Sequence, residues 1–272
     1  MFTPIGFFAP QGGGSGFDVT LGGTLSVLYH WDFTDSSTMT LSGTDVTDIT
    51  DKVGSITLLP TAQAPTTPAV FAGDRTLFAA SALYRQSTIN LVPPGMERND
   101  DFTVVYFAQN DFDALGASAI IAPWDLQGGT TVNQAQQIRP TQFVPNYDPY
   151  SMPSCGTGTY YFSIQRFQGG WTGIKQKHIQ AVAQADKNMV TVTYDFTATQ
   201  IGVTLNNNTL CKISDAFSNA SQSGPGFIIG GRDGTGTSVR WYGDMYHTIV
   251  YSSVLTQPNI DDLYASWVAF NA

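Results

Sequence analysis

Hydrolysis of a glycosidic bond needs two carboxylates that flank it. This sequence has twenty Asp but a single Glu, Glu97, in the stretch Gly95-Met-Glu-Arg-Asn99. The adjacent pairs Asp100–Asp101 and Asp261–Asp262 do not replace a glutamate pair, because neighbours along a strand point to opposite faces and neighbours along a helix do not face each other. The three histidines, His30, His178 and His247, lie far apart, and none has a local context that suggests a Ser-His-Asp relay. Together with Cys155 and Cys211 they show no zinc-ligand spacing. The two cysteines are expected to be buried free thiols, since a bridge cannot be read from sequence. Asn110-Asp111-Phe-Asp113 imitates the start of a calcium loop, but Leu115 stands at the third ligand position and the closing Glu is missing. The glycine-rich run Gln11-Gly-Gly-Gly-Ser-Gly16 is not a phosphate loop, for it lacks the Lys-Ser/Thr end and no strand precedes it.

The elements that would carry such residues are strands. Val190, Val192 and Tyr194 alternate with Thr191 and Thr193, and Ile201, Val203 and Leu205 repeat the pattern. Period two with β-branched and aromatic residues predicts half-buried strands. Asn206-Asn207-Asn208 predicts a tight turn, because Asn tolerates positive φ. Further strands are expected over 25–33, 55–59, 87–92, 101–108, 118–122 and 160–167, and 70–79 reads as strand, turn, strand. One helix is expected after Thr256, with Thr256 as N-cap, Pro258 in the first turn and Ile260, Leu263, Tyr264, Trp267 and Val268 at helical spacing. The whole reads as one all-β domain, with 27 Gly and 14 Pro to make its turns.

Net charge is −9, and no basic patch suited to nucleic acid is visible. The cluster Lys175, Lys177, His178 reads as a solvated strand edge with lysine protecting it. No apolar run is long enough to span a bilayer, and no basic stretch marks an export signal, so membrane insertion is not expected. Residues 123–158 read as a long irregular stretch rich in Pro and aromatics. Trp124, Tyr147 and Tyr150 there, and Trp171 in the turn Gln168-Gly-Gly-Trp171, offer flat rings for stacking a sugar. Residues 1–17 are unlike the rest: Phe2, Ile5, Phe7 and Phe8 form an apolar tip ahead of the Gly-rich linker. They predict a docking arm, with the folded body at 18–272.

The order of pieces resembles the concanavalin A-like lectin/glucanase superfamily, in its laminin G-like branch. The resemblance rests on Tyr194-Asp195, the Asn206–Asn208 turn, Ile229-Gly230-Gly231, Gly243-Asp244 and Val250-Tyr251, with Trp31-Asp32-Phe33 and Asp51-Lys-Val-Gly54 near the start. It implies an antiparallel two-sheet jelly-roll sandwich with a short C-terminal helix. In calcium-binding relatives loop carboxylates hold the ion, which makes Asp74 a candidate Ca2+ ligand; no other cofactor is implied. The glucanases of this superfamily use a Glu-x-Asp-x-x-Glu motif, which a chain with one Glu cannot contain, so no catalytic residues are expected. With the apolar arm, the resemblance to bacteriophage members implies a non-enzymatic virion subunit: a tail fibre, spike or capsid decoration protein exposed on the particle. Its expected partners are other virion proteins through Phe2, Ile5, Phe7 and Phe8, sister subunits in a trimer, and host surface glycans. The alternatives are a carbohydrate-binding lectin domain of a bacterial protein, or a glycoside hydrolase with an unrecognised site.

Overall fold

A computed structural model describes residues 17–54, 56–60, 68–78, 84–86, 92–97, 99–110, 120–121, 124–127, 137–143, 154–155, 160–166, 175–181, 187–214, 226–231 and 241–271. Its strands are β1 (Val27–Asp32), β2 (Met39–Ser42), β3 (Asp45–Thr50), β4 (Thr57–Pro60), β5 (Val70–Phe71), β6 (Thr76–Phe78), β7 (Tyr84–Gln86), β8 (Phe102–Asn110), β9 (Ile120–Ile121) and β10 (Trp124–Gln127). They continue with β11 (Gln137–Phe143), β12 (Ser154–Cys155), β13 (Tyr160–Arg166), β14 (Lys175–Ala181), β15 (Asn188–Asp195), β16 (Gln200–Leu205), β17 (Cys211–Ser214), β18 (Gly226–Ile229) and β19 (Gly243–Tyr251). One helix, α1 (Gln257–Asn271), follows.

Two antiparallel ladders form the sandwich. The first runs β1–β19–β8–β15–β16–β17. The second runs β2–β3–β4–β7–β18–β10–β11–β13–β14. The short β5 joins them, pairing with both β3 and β6. Side chains of both ladders meet in one core, where Trp31 stacks on Phe227 with ring centroids 5.1 Å apart and Phe102 stacks on Tyr194 at 4.9 Å.

The first ladder is covered on its other face as well. In β8, Val104, Tyr106 and Ala108 enter the main core, while Val105 and Phe107 enter a second cluster beneath α1. Ile260, Leu263 and Trp267 of the helix fill that cluster, each contributing about 1.5–3 kcal/mol by leaving water. Thr256 caps the helix as expected: its Oγ1 accepts from the Asn259 N–H at 3.5 Å, and its own N–H donates to Asn259 Oδ1 at 3.2 Å. Asn206 adopts the positive φ of 53° expected of the β16–β17 turn.

Three expectations need correction. The stretch 123–158 is not irregular throughout, since β10, β11 and β12 lie in it and β10 sits between β18 and β11. Lys175–Ala181 is flanked on both sides, by β13 and by the two residues of β12, so it is not a bare edge over its whole length. Phe17, assigned to the arm, belongs to the body: it is buried against Phe107 and Trp267. Phe2, Ile5, Phe7 and Phe8 lie outside the described residues. No helix among the described residues is long and apolar enough to cross a membrane.

Candidate functional site

Beneath α1 the covered face carries a polar cluster. His30 and Asp32 are two apart on β1, so they share a face, and Asp32 pairs directly with His247 of β19. The unbroken register from His30 to Asp32 puts His247 on that same face. The pairing of β19 with β8 slips between Met245 and His247, leaving Tyr246 as the extra residue, so Tyr246 and His247 both turn toward the helix. His30 Nε2 lies 3.2 Å from His247 Nδ1, and Asp32 Oδ1 lies 3.3 Å from the same nitrogen. His30 is 5% exposed, and Asp32 and His247 are 0% exposed.

The turn after β3 adds a cation. Asp51 Oδ1 accepts from the Val53 and Gly54 N–H groups at 2.8 and 2.6 Å, and Asp51 Oδ2 accepts from Ile56 N at 2.6 Å. Gly54 is required there, because a Cβ would sit 2.7 Å from the Tyr29 ring. The turn is tied to β1 by Lys52 N–H donating to His30 O at 2.9 Å. Lys52 Nζ then donates to Asp32 Oδ2 at 3.0 Å and to Asp35 Oδ2 at 2.8 Å. Asp32 Oδ1 also accepts from Thr34 N and Oγ1, at 3.0 and 2.6 Å. Asp35 caps the short 3-10 turn at Ser36–Thr38 through Ser37 N at 2.9 Å.

Burial and charge set the protonation states. Desolvation, with the neighbouring His247 opposing a second charge, lowers the His30 pKa to about 3, so His30 is neutral at physiological pH. Burial alone would push Lys52 down and Asp35 up. The hydrogen bonds and charges they exchange, with Asp32 and Ser37 contributing, reverse both shifts, so Lys52 is raised and Asp35 lowered. The rings of Phe17, Phe107 and Trp267 stand 5.5, 5.8 and 5.6 Å from that of His247. His247 Nε2 is buried and makes no hydrogen bond among the described residues. With its groups this deeply covered, the cluster is not laid out to transfer protons to a substrate. Its donors can hold a cation, and they are the one group of three such ligands that meets among the described residues.

The sequence-predicted site residues fare differently. Trp124 is not a surface ring: it lies on β10 at 0% exposure, 5.8 Å from Phe227, because β10 is an interior strand. Asp74 is not among grouped metal ligands. Its side chain is 68% exposed and paired with Arg75 Nη1 at 2.7 Å, while Arg75 Nε also reaches Asp244 at 3.0 Å. Tyr147, Tyr150 and Trp171 lie outside the described residues. Cys211 is disulfide-bonded, which overturns the expectation of free thiols; the one other cysteine in the chain is Cys155. The His30–Asp32–His247 grouping escaped the sequence reading. The i, i+2 spacing of His30 and Asp32 was the available signal, and the third member comes from 217 residues away.

No family model and no curated protein matches the chain. Solved structures do. Domain 4 of AbnA, a GH43 extracellular arabinanase from Geobacillus stearothermophilus in complex with arabinotriose, is similar over 88% of this chain and 98% of that one, at 11% identity and a TM-score of 0.53. A GH54 α-L-arabinofuranosidase soaked with a cyclic sulfate inhibitor is similar over 93% of this chain, at 11% identity and a TM-score of 0.59. An arabinofuranosidase complexed with arabinofuranosyl-α-1,2-xylobiose gives 93%, 10% and 0.57. The chain spans 65% and 64% of the length of these two enzymes. At such identities the likeness is one of fold: a β-sandwich of the kind found in carbohydrate-binding domains and in parts of glycoside hydrolases. The comparisons carry no sign of a phage protein.

Proposed function

We infer that this protein is a glycan-binding β-sandwich without catalytic activity. The observation that carries the reading is the near end-to-end likeness to AbnA domain 4, a domain seen with arabinotriose bound. Fold likeness alone does not transfer a site, so two properties of this chain narrow the ligand. Its net charge of −9 disfavours anionic polymers and favours a neutral saccharide. The disulfide at Cys211 suits an oxidising setting outside the cytosol, such as a secreted protein or a particle surface. Absence of catalysis rests on the single Glu97.

The contact residues proposed are Tyr147, Tyr150 and Trp171, each with a flat apolar face suited to a sugar ring. Placement of the domain on a virion, through Phe2, Ile5, Phe7 and Phe8, rests on the sequence alone. The test is isothermal titration and affinity electrophoresis against neutral arabinans, xylans and galactans, with heparin as the anionic control. Binding to a neutral polysaccharide, lost when the three aromatics become Ala, is the expected result. Silence across the panel would overturn the binding reading, and release of reducing sugar would overturn the non-catalytic one.

A further inference from the structure

We propose that His30 Nε2, Asp32 Oδ1 and His247 Nδ1 form a binding site for one divalent transition-metal ion of the zinc type, which pins the N-terminal strand to the C-terminal strand under α1. The first argument is geometric. Zinc binds imidazole nitrogen and carboxylate oxygen at about 2.0–2.2 Å, so neighbouring corners of a tetrahedron lie roughly 3.3–3.5 Å apart. His30 to His247 measures 3.2 Å and His247 to Asp32 measures 3.3 Å, and all three ligand atoms lie within 4.8 Å of one another.

The second argument is proton accounting. His247 Nδ1 faces both a ring nitrogen and a carboxylate oxygen. If Nδ1 carries the proton, it serves Asp32, but Nε2 becomes a buried acceptor with no donor. If Nε2 carries the proton, that buried donor has no acceptor, and the Nδ1 lone pair faces the Asp32 lone pairs at 3.3 Å. In either tautomer one of the two close contacts of Nδ1 lacks a bridging proton, and this face, not Nε2, is what a cation relieves. A cation held by Nδ1, the His30 nitrogen and the Asp32 oxygen accepts all three lone pairs at once.

The surroundings fit a metal site. Thr34 and Lys52 fix the Asp32 carboxylate from outside, as partners of ligating carboxylates do. Asp32 and Asp35 carry two negative charges against the single charge of Lys52, so the pocket favours a cation. Two imidazoles with one carboxylate suit zinc, cobalt or nickel, and not calcium, which takes six to eight oxygens. This site is independent of the glycan reading and of Asp74.

The experiment uses tag-free full-length protein, unfolded in chelator and refolded with Co2+ or Zn2+ under oxidising conditions. One Co2+ per chain is expected, with the intense visible bands of a four-coordinate site. Zn2+ at about a hundredfold its Kd is expected to raise Tm by roughly 5–10 °C, while Ca2+ leaves it unchanged. His178→Gln tests location: with His178 gone, imidazole ligation can come only from His30 and His247, so the bands must persist. His30→Gln, if it folds, must lose them; if it does not fold, the wild-type and His178→Gln spectra decide. Failure to retain metal, an unchanged Tm, or bands lost with His178→Gln would each overturn the site.

Discussion

Replacement of Lys52 by Met tests whether the cation holds the cluster together or only decorates it. Lys52 Nζ contacts Asp32 Oδ2 at 3.0 Å and Asp35 Oδ2 at 2.8 Å, and the Asp32 side chain has no exposed surface. Met keeps the length and apolar volume of the stem while deleting the charge. Asp32 then keeps its Thr34 hydrogen bonds but stays buried without the ammonium charge beside it and with Asp35 nearby. Breaking one side of a buried pair costs 3–5 kcal/mol; with the Lys52 side chain 31% exposed and Asp35 nearer to water, about 2–4 kcal/mol is expected here. Urea unfolding of chelator-treated protein at pH 7 reads this as a lower midpoint with an unchanged slope. The loss should survive 1 M NaCl, because salt screens exposed pairs much more than buried ones. Asp32→Asn combined with Lys52→Met should be less destabilised than the sum of the single changes by at least about 1 kcal/mol. A penalty below about 1 kcal/mol, the range of surface ion pairs, or simple additivity would refute the reasoning.

Further tests address the core and the termini. The Tyr84 hydroxyl donates to Val46 O at 2.7 Å and accepts from Ala69 N at 3.0 Å, and burial, with Asp45 adding to it, pushes its pKa up to about 12. The unfolded chain loses this proton near pH 10 while the folded one keeps it, so stability is whole below pH 10 and falls as pH rises through about 12; one such group contributes about 1.4 kcal/mol per pH unit. Tyr84→Phe should flatten that alkaline fall in denaturation midpoints, at a cost of about 1–3 kcal/mol near neutrality. Cys211→Ser should lower stability by about 2–4 kcal/mol, and wild type in reductant should match it in a thermal scan. Deleting residues 1–16 should leave Tm within a degree or two while abolishing any incorporation into particles, whereas Phe17→Ala should cost about 3–5 kcal/mol through its lost contacts with Phe107 and Trp267.

Local chemistry made much of the fold legible. Alternation marked β15 and β16, a short polar turn marked Asn206–Asn208, and the helical spacing of Ile260, Leu263 and Trp267 marked α1. These signals depend on residues close in sequence, and the two-sheet sandwich followed from their order. Trp124 failed for a physical reason: Pro-rich flanks read as loop, yet the strand between them is an interior member of its sheet, and nothing within a few residues of Trp124 announces β18 on one side and β11 on the other. The disulfide at Cys211 is a long-range fact of the same kind.

The histidine cluster is the clearest case of the division between local and long-range information. His30-x-Asp32 is readable as two donors on one face, because strand geometry dictates it. His247 joins them only through the register of β1 on β19, in which it pairs directly with Asp32. The bulge lies just before His247 and adds Tyr246 to the same face. Because β1 and β19 come from opposite ends of the chain, those donors meet only when the sheet has closed. A cation bound there stabilises the closed sheet and none of the partly folded states that precede it, so its effect should appear in the unfolding rate and not in the folding rate.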